Sequence, residues 1–145
     1  MSTSDERITP GKALGLMFVD ADRFKDINDS YGHAVGDRVL VEIGQRLQRS
    51  LRDSDLVARL GGDEFAILLE PLADAADAEL VARKIETQMH APLLHEGLPP
   101  IVPRVSIGLA LYPADGADAQ ALLQHADRLM YERKRRRREA PAAPA

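Results

Sequence analysis

Cysteine is absent from the 145-residue sequence, which removes disulfide frameworks, thiol nucleophiles, iron–sulfur clusters and cysteine zinc sites together. Any metal must rest on oxygen ligands or on the four histidines. Long apolar runs are also missing. Nothing approaches the roughly 18 uncharged residues of a membrane span, and no basic start leads into an apolar segment with a small-residue cleavage site. The expectation is therefore a cytoplasmic chain without membrane insertion. A strong net charge is lacking too, since 19 basic residues against 23 acidic ones leave −4. That is too little to make the whole surface a polyanion binder, so nucleic acid is not an expected partner. No internal repeat is visible.

What is present is 45% hydrophobic and 29% charged residues, enough at this length for one globular domain with a real core. Charge is unevenly placed. Six of the 19 basic residues lie in Arg133–Arg138, so the rest of the chain holds 13 against 23 acids. Such a run is either a solvated helix end, favoured by the negative helix C-terminus, or a phosphate contact.

Residues 1–12, with Pro10 and Gly11, read as a loose lead-in and residues 139–145 as a frayed Ala/Pro tail, leaving 13–138 as the folded unit. Leu14–Val19 reads as a first strand, with Asp20 and Asp22 beyond it on one face. Phe24, Ile27 and Tyr31 recur at helical spacing and Gly32 can stop that helix, so Lys25 and Asn28 share a face away from its packing stripe. Val39, Leu40, Ile43, Leu47 and Leu51 mark a longer helix opening near Gly36 and Asp37. Leu56–Leu60 and Phe65–Leu69 flank Gly61-Gly62-Asp63-Glu64, the composition of a β-hairpin. Leu72–Met89 reads as helix, and Ile101–Tyr112 as an edge or bounded strand containing Gly108 and hemmed by prolines. Asp118 can cap a last helix whose Leu122, Ala126, Leu129 and Met130 face the core. The order implies an α+β fold, a mixed sheet covered by helices. Parallel pairing of strand one with a hairpin strand would bring Asp20 to the hairpin carboxylates.

Asp20, Asp63 and Glu64 are hard oxygen ligands at plausible strand ends. Such a set suits Mg²⁺, which binds through one or two carboxylates and completes its shell with water and phosphate. It would serve phosphoryl or nucleotidyl transfer. The alternative is that Asp63 and Glu64 only mark a turn. For Asn28 and Asp37 the alternatives are a helix-end polar residue and an N-cap.

Arg59-Leu60-Gly61-Gly62-Asp63-Glu64-Phe65, with the upstream run Asp20–His33 and Gly36-Asp37, resembles the GGDEF family of diguanylate cyclases. The likeness continues in Ser106–Ala110 and Ala126–Tyr131. Several ordered motifs across nearly the whole folded unit carry more weight than the five-letter signature alone. The resemblance implies a fold related to the polymerase palm and the adenylate cyclases. It also implies condensation of two GTP into cyclic di-GMP, across two domains that each bring one GTP. By motif position Asp20 and Asp63, with the carbonyl of Ala21, resemble the ligands of Mg²⁺, Mn²⁺ being the alternative ion. Glu64 resembles the acid that binds metal and helps deprotonate the ribose 3′-hydroxyl. Asn28 and Asp37 fall where the family reads guanine; a carboxylate there can accept from N1–H and the exocyclic amine, a donor pair adenine lacks. Gly61 and Gly62 let backbone approach phosphate, and Lys25, Lys134 and Arg138 fall where the triphosphate is contacted. Arg135–Arg137 depart from the usual glycine before the final arginine.

Arg52 and Asp55, three apart and just upstream of the signature, resemble the family's inhibitory product site, with Arg83 as a second contact. In isolation the same pair is a surface ion pair. His33, Asp22 and Arg59 read as supporting residues, and Asp127 and Tyr131 as anchors of the last helix. Relatives begin earlier, with an Asp-x-Leu-Thr-Gly-Leu-x-Asn-Arg-like turn and a helix that Met1–Ala13 does not contain. This implies a truncated chain or another segment over one sheet face, with a sensory or regulatory domain elsewhere. The expected working form is a transient or tether-driven homodimer. The competing expectation is a nonenzymatic module that binds GTP or cyclic di-GMP.

Overall fold

The computed structural model describes residues 13–139, with side chains through 136. The expected lead-in over 1–12 and the tail beyond 139 lie outside the described residues. The elements in order are β1 (Ala13–Ala21), α1 (Phe24–Tyr31), α2 (His33–Arg49), β2 (Leu56–Gly61), β3 (Glu64–Leu72), α3 (Ala75–Gln88), β4 (Val105–Tyr112) and α4 (Ala119–Glu139). The strands form one sheet in the order β2-β3-β1-β4.

The α+β class is as expected from the sequence, but every pairing in the sheet is antiparallel. This corrects the parallel pairing expected between β1 and the hairpin. The long α1–α2 connection carries the chain past the slot beside β1, and β3 fills that slot on its way back. Antiparallel pairing then sets the end of β1 opposite the start of β3, Asp20 against Glu64. The convergence of acids survives with a different strand direction.

Alternation along the strands divides the core between two faces. Met17, Val19, Ile67, Leu69 and Ile107 point to one face and are fully covered by Val39, Ile43 and Leu47 of α2 and Ile85 of α3. On the other face Leu14 and Ala110 meet Leu122 and Ala126 of α4. Leu16, Phe18 and Leu68 there are only partly buried, and Leu56, paired with Leu68, is exposed.

Local signals explain the boundaries. Gly32 ends α1 and is also the N-cap of α2, so α2 opens at His33, four residues ahead of Asp37. Asp37 is therefore not the cap. Asp74 caps α3 by accepting from the Asp77 amide at 2.9 Å, and Asp118 caps α4 by accepting from the Ala121 amide at 2.8 Å. The strand expected from Ile101 starts later, at Val105, because Ile101 is spent on an isolated bridge to Leu93. β4 is an edge strand, as its flanking prolines imply. α4 lies close over β4 because residue 108 is glycine; a Cβ there would overlap the Ala126 carbonyl oxygen.

Candidate active site

Three neighbouring strands deliver polar side chains at one level. Glu64, Asp20 and Ser106 are direct partners across β3, β1 and β4, so all three leave the sheet on the α4 face. Asp63 precedes Glu64 at the turn, and its carbonyl accepts from the Ala21 amide at 3.0 Å, tying the end of β1 to the hairpin tip. Gly61 and Gly62 hold positive φ values of 137° and 52° with open space where a Cβ would stand. The turn thus needs glycine for its backbone, and it leaves that backbone accessible. Arg59 fixes the tip by donating from Nε and Nη2 to the Gly62 carbonyl at 3.1 and 2.7 Å, the supporting role expected of it.

Asp20 is 5% exposed. Its Oδ2 accepts from Lys134 Nζ at 2.6 Å, while Oδ1 is buried without a partner. Burial pushes the carboxyl up from 3.8 to about 6; the Lys134 hydrogen bond pulls it down, and the neighbouring Asp63 charge adds to the rise. With its folded value above the ordinary one, Asp20 favours the fold while protonated and loses that contribution as pH rises through about 6. Ionised, it is a buried anion with one oxygen unserved. A hard divalent cation would serve that oxygen, so the residues fit Mg²⁺ or Mn²⁺. Among the described residues no three acids or histidines converge into a ready-made cage. This suits an ion that keeps water and takes phosphate oxygens.

Two cavities meet at Lys134. One, of about 230 Å³, lies between α1 and the hairpin and is lined by Asp22, Lys25 and Asp63 among others. The second, of about 510 Å³, opens between α4 and the sheet beside Asp20 and Glu64. Asp127 and Tyr131 line it. Both are exposed, Tyr131 by 57%, which corrects their expected role as anchors of α4. The helix is instead tied to the sheet by Arg133, whose Nη1 donates to the Ile107 carbonyl at 3.0 Å. Asp22 accepts from Ser106 Oγ at 2.7 Å, a supporting contact. Arg23 holds a left-handed backbone, φ 54°, where the chain turns into α1 over the smaller cavity. A non-glycine residue there stores strain beside the site.

Lys25 is exposed on α1, and Asn28 follows one turn later with a buried Oδ1 that has no partner. A Cβ at Gly36 would overlap that oxygen, so the glycine is what allows the amide to sit against α2. Asp37 follows it, exposed. The structure thus brings Asn28 to the Gly36–Asp37 turn of α2. α4 continues as helix through Arg135–Arg137, which sets Arg138 four residues from Lys134 on the same face. The Arg138 side chain lies outside the described residues.

Arg52 and Asp55 pair with each other. Arg52 Nε and Nη2 donate to the carboxylate at 3.1 and 2.9 Å, Nη2 also donates to the Pro71 carbonyl, and the Arg52 amide caps Asp55 Oδ2. Burial alone would raise the Asp55 carboxyl, but these hydrogen bonds and the guanidinium charge hold it below its ordinary 3.8. Arg83 is exposed on α3 and makes no hydrogen bond or ion pair among the described residues. The Arg52–Asp55 pair therefore has a folding role of its own. Arg52→Ala should cost about 2 kcal/mol at neutral pH, because it strands a buried carboxylate. The depressed value of Asp55 makes this contribution full above pH 4 or so and lost as pH falls through the folded value. Urea unfolding at pH 7 and pH 3 checks this, since an equal deficit at both would rule out the ion pair as its source.

Sequence reasoning named Ser106 and Arg133 but missed their contacts, and it missed the Asn28–Gly36 contact. Spacing does not mark them, because Ser106 meets Asp22 84 positions away, Arg133 meets Ile107 26 positions away, and Asn28 meets Gly36 across the break between two helices.

The sequence pattern of the family described as Diguanylate cyclase, GGDEF domain matches residues 2–140. The chain is 51% identical over 125 residues to diguanylate cyclase TpbB of Pseudomonas aeruginosa, covering 86% of this chain and 29% of that protein. It thus spans under a third of the length of that relative. The crystal structure of the TpbB GGDEF domain superposes with a TM-score of 0.84 at 50% identity, covering 86% of this chain and 78% of the other. The GGDEF domain of DgcB from Caulobacter crescentus, solved in complex with cyclic di-GMP, gives a TM-score of 0.79 at 27% identity, with 86% and 74% coverage.

Proposed function

The chain belongs to the GGDEF family of diguanylate cyclase domains, and on that premise we propose that it condenses two GTP molecules into cyclic di-GMP with release of two pyrophosphates. The observation that carries this reading is the level at which Asp20 and Glu64 stand side by side beneath Lys134, with Asp20 Oδ1 unserved.

In this reading the smaller cavity takes the triphosphate. Lys25, Lys134 and Arg138 supply positive charge, and the exposed Gly61–Gly62 backbone approaches the phosphate oxygens. Asn28 and Asp37 read guanine, Asn28 Oδ1 accepting a hydrogen bond and the Asp37 carboxylate taking the N1–H and amine donors. Adenine would leave both acceptors unpaired. Asp20, Asp63, Glu64 and the Ala21 carbonyl would hold Mg²⁺, which when bound neutralises phosphate charge and acidifies a nearby hydroxyl. Glu64, at the mouth of the larger groove, accepts the proton of the incoming 3′-hydroxyl. The 3′-oxygen then bonds the α-phosphorus of the other GTP as the bond to pyrophosphate breaks. Each domain holds one GTP, so two copies must meet.

Among the described residues no helix is long and apolar enough to cross a membrane. We place the catalytic encounter in a homodimer formed transiently or by a regulatory domain outside this sequence. A tether would raise the effective concentration to roughly millimolar without adding a catalytic contact. Arg52 and Asp55, with Arg83, are proposed as a product-binding inhibitory site, where cyclic di-GMP would compete for an arginine fork already engaged by Asp55.

The deciding experiment incubates the full chain with Mg²⁺ and GTP, or with ATP, over a protein concentration series, and detects the cyclic product by mass. GTP should yield cyclic di-GMP at a rate per chain that rises with concentration, and ATP should yield no cyclic product. Equal use of ATP would sink the guanine assignment. GTP binding without product at any concentration would favour the nucleotide-responsive module.

A further inference from the structure

Lys134 stands at the boundary of both cavities and bonds the one carboxylate oxygen of Asp20 that has a partner. Its side chain is 25% exposed, on a helix whose neighbouring Arg133 is fastened to β4, so the backbone is held while the four-carbon stem retains room to swing. A buried carboxylate needs a countercharge, and among the described residues the ammonium is the only one in contact with it. A divalent cation bound at Asp20 would place further positive charge within a few ångströms of that ammonium, and the two repel strongly where water is scarce.

We propose that Lys134 is the resident counter-ion of Asp20 in the metal-free domain, that a divalent cation must displace it from Oδ2, and that the displaced ammonium is then free to take phosphate. The inference rests on Asp20 being a cation ligand, and it adds that the cation and Lys134 compete for that ligand. One side chain thereby links metal entry at Asp20 to anion capture in the neighbouring cavity. Asp20 holds the ammonium at 2.6 Å, while Asp63 and Glu64 line the two cavities that Lys134 borders.

Competition makes an unusual demand, that removing a positive residue should improve cation binding and impair binding of the cation–nucleotide complex. The test measures Mn²⁺ binding to the full chain, without nucleotide, from the loss of the free-ion paramagnetic resonance signal. Lys134→Met should tighten Mn²⁺ binding about tenfold, and Lys134→Gln, which keeps a donor for Oδ2, should tighten it less. Arg128→Gln is the control for charge alone. Arg128 lines the same groove, its guanidinium lying 3.3 Å from His125 Nδ1, and its removal should change Mn²⁺ affinity by about twofold at most. With GTP added, Lys134→Met should bind Mn²⁺–GTP more weakly than the unaltered chain. A Lys134→Met affinity for Mn²⁺ no better than that of Arg128→Gln overturns the counter-ion role. Asp20→Asn separates the premise from the inference. It should abolish Mn²⁺ binding with or without Lys134, and binding that survives it overturns the cation site itself.

Discussion

Glu64→Gln is expected to lower cyclic di-GMP formation by about 10³-fold while shifting GTP affinity by no more than about threefold. The two side chains have nearly the same shape, and Glu64 is partly exposed at the start of β3, so the amide fits without disturbing the strand. What it loses is the capacity proposed for Glu64, to accept the proton of the 3′-hydroxyl. Asp63→Asn should differ in kind, weakening cation-dependent GTP binding, because Asp63 lines with Lys25 the cavity proposed for the triphosphate. Single-turnover product formation and titration calorimetry on the same samples separate the two effects. A Glu64→Gln chain within tenfold of the unaltered rate would remove Glu64 from the proton transfer.

A second large effect is expected at a residue that touches no substrate. Gly108→Ala should destabilise the domain by about 3 kcal/mol, near the upper end for overpacking. The new methyl would overlap the Ala126 carbonyl oxygen and come within 2.5 Å of the Met130 amide nitrogen, both of them backbone atoms of α4. No side-chain rotamer relieves such a contact. The helix must lift, uncovering Leu122, Ala126 and Met130 and carrying Lys134 away from Asp20. Gly44→Ala supplies the contrast. Its methyl meets only Phe65, at 3.5 Å, and a helical alanine in place of glycine should add up to about 1 kcal/mol of stability. Urea unfolding of both variants decides the matter, and a Gly108→Ala chain as stable as Gly44→Ala would mean that α4 is free to shift over β4.

The sheet shows where sequence reasoning stops. Short apolar runs identified β1 and the hairpin, Ile101–Tyr112 read as a further strand, and glycine, aspartate and proline punctuated them, since these are local properties of the chain. The pairing direction of β1 was misread because alternation is the same in parallel and antiparallel strands. Direction is decided by which strand the α1–α2 connection leaves room for. Helix starts followed a similar division. Asp118 was legible as a cap, whereas Asp37 was not the start of α2, because Gly32, by ending α1, also fixed where α2 opens.

By itself the sequence determined the chemistry available: acids at two strand ends, a glycine turn between hairpin strands, a basic last helix, and no thiol to compete with oxygen at a metal site. Those follow from residue identity and short-range spacing, and they were enough to mark the family. Only the tertiary structure decided what each group faces. It paired Lys134 with Asp20 across 114 positions, left Asp20 Oδ1 and Asn28 Oδ1 buried without partners, and committed Arg52 to Asp55 and Pro71. Burial and partnership depend on distant segments that packing brings together, and they set the charge balance of a carboxylate far more than the residues beside it in the chain.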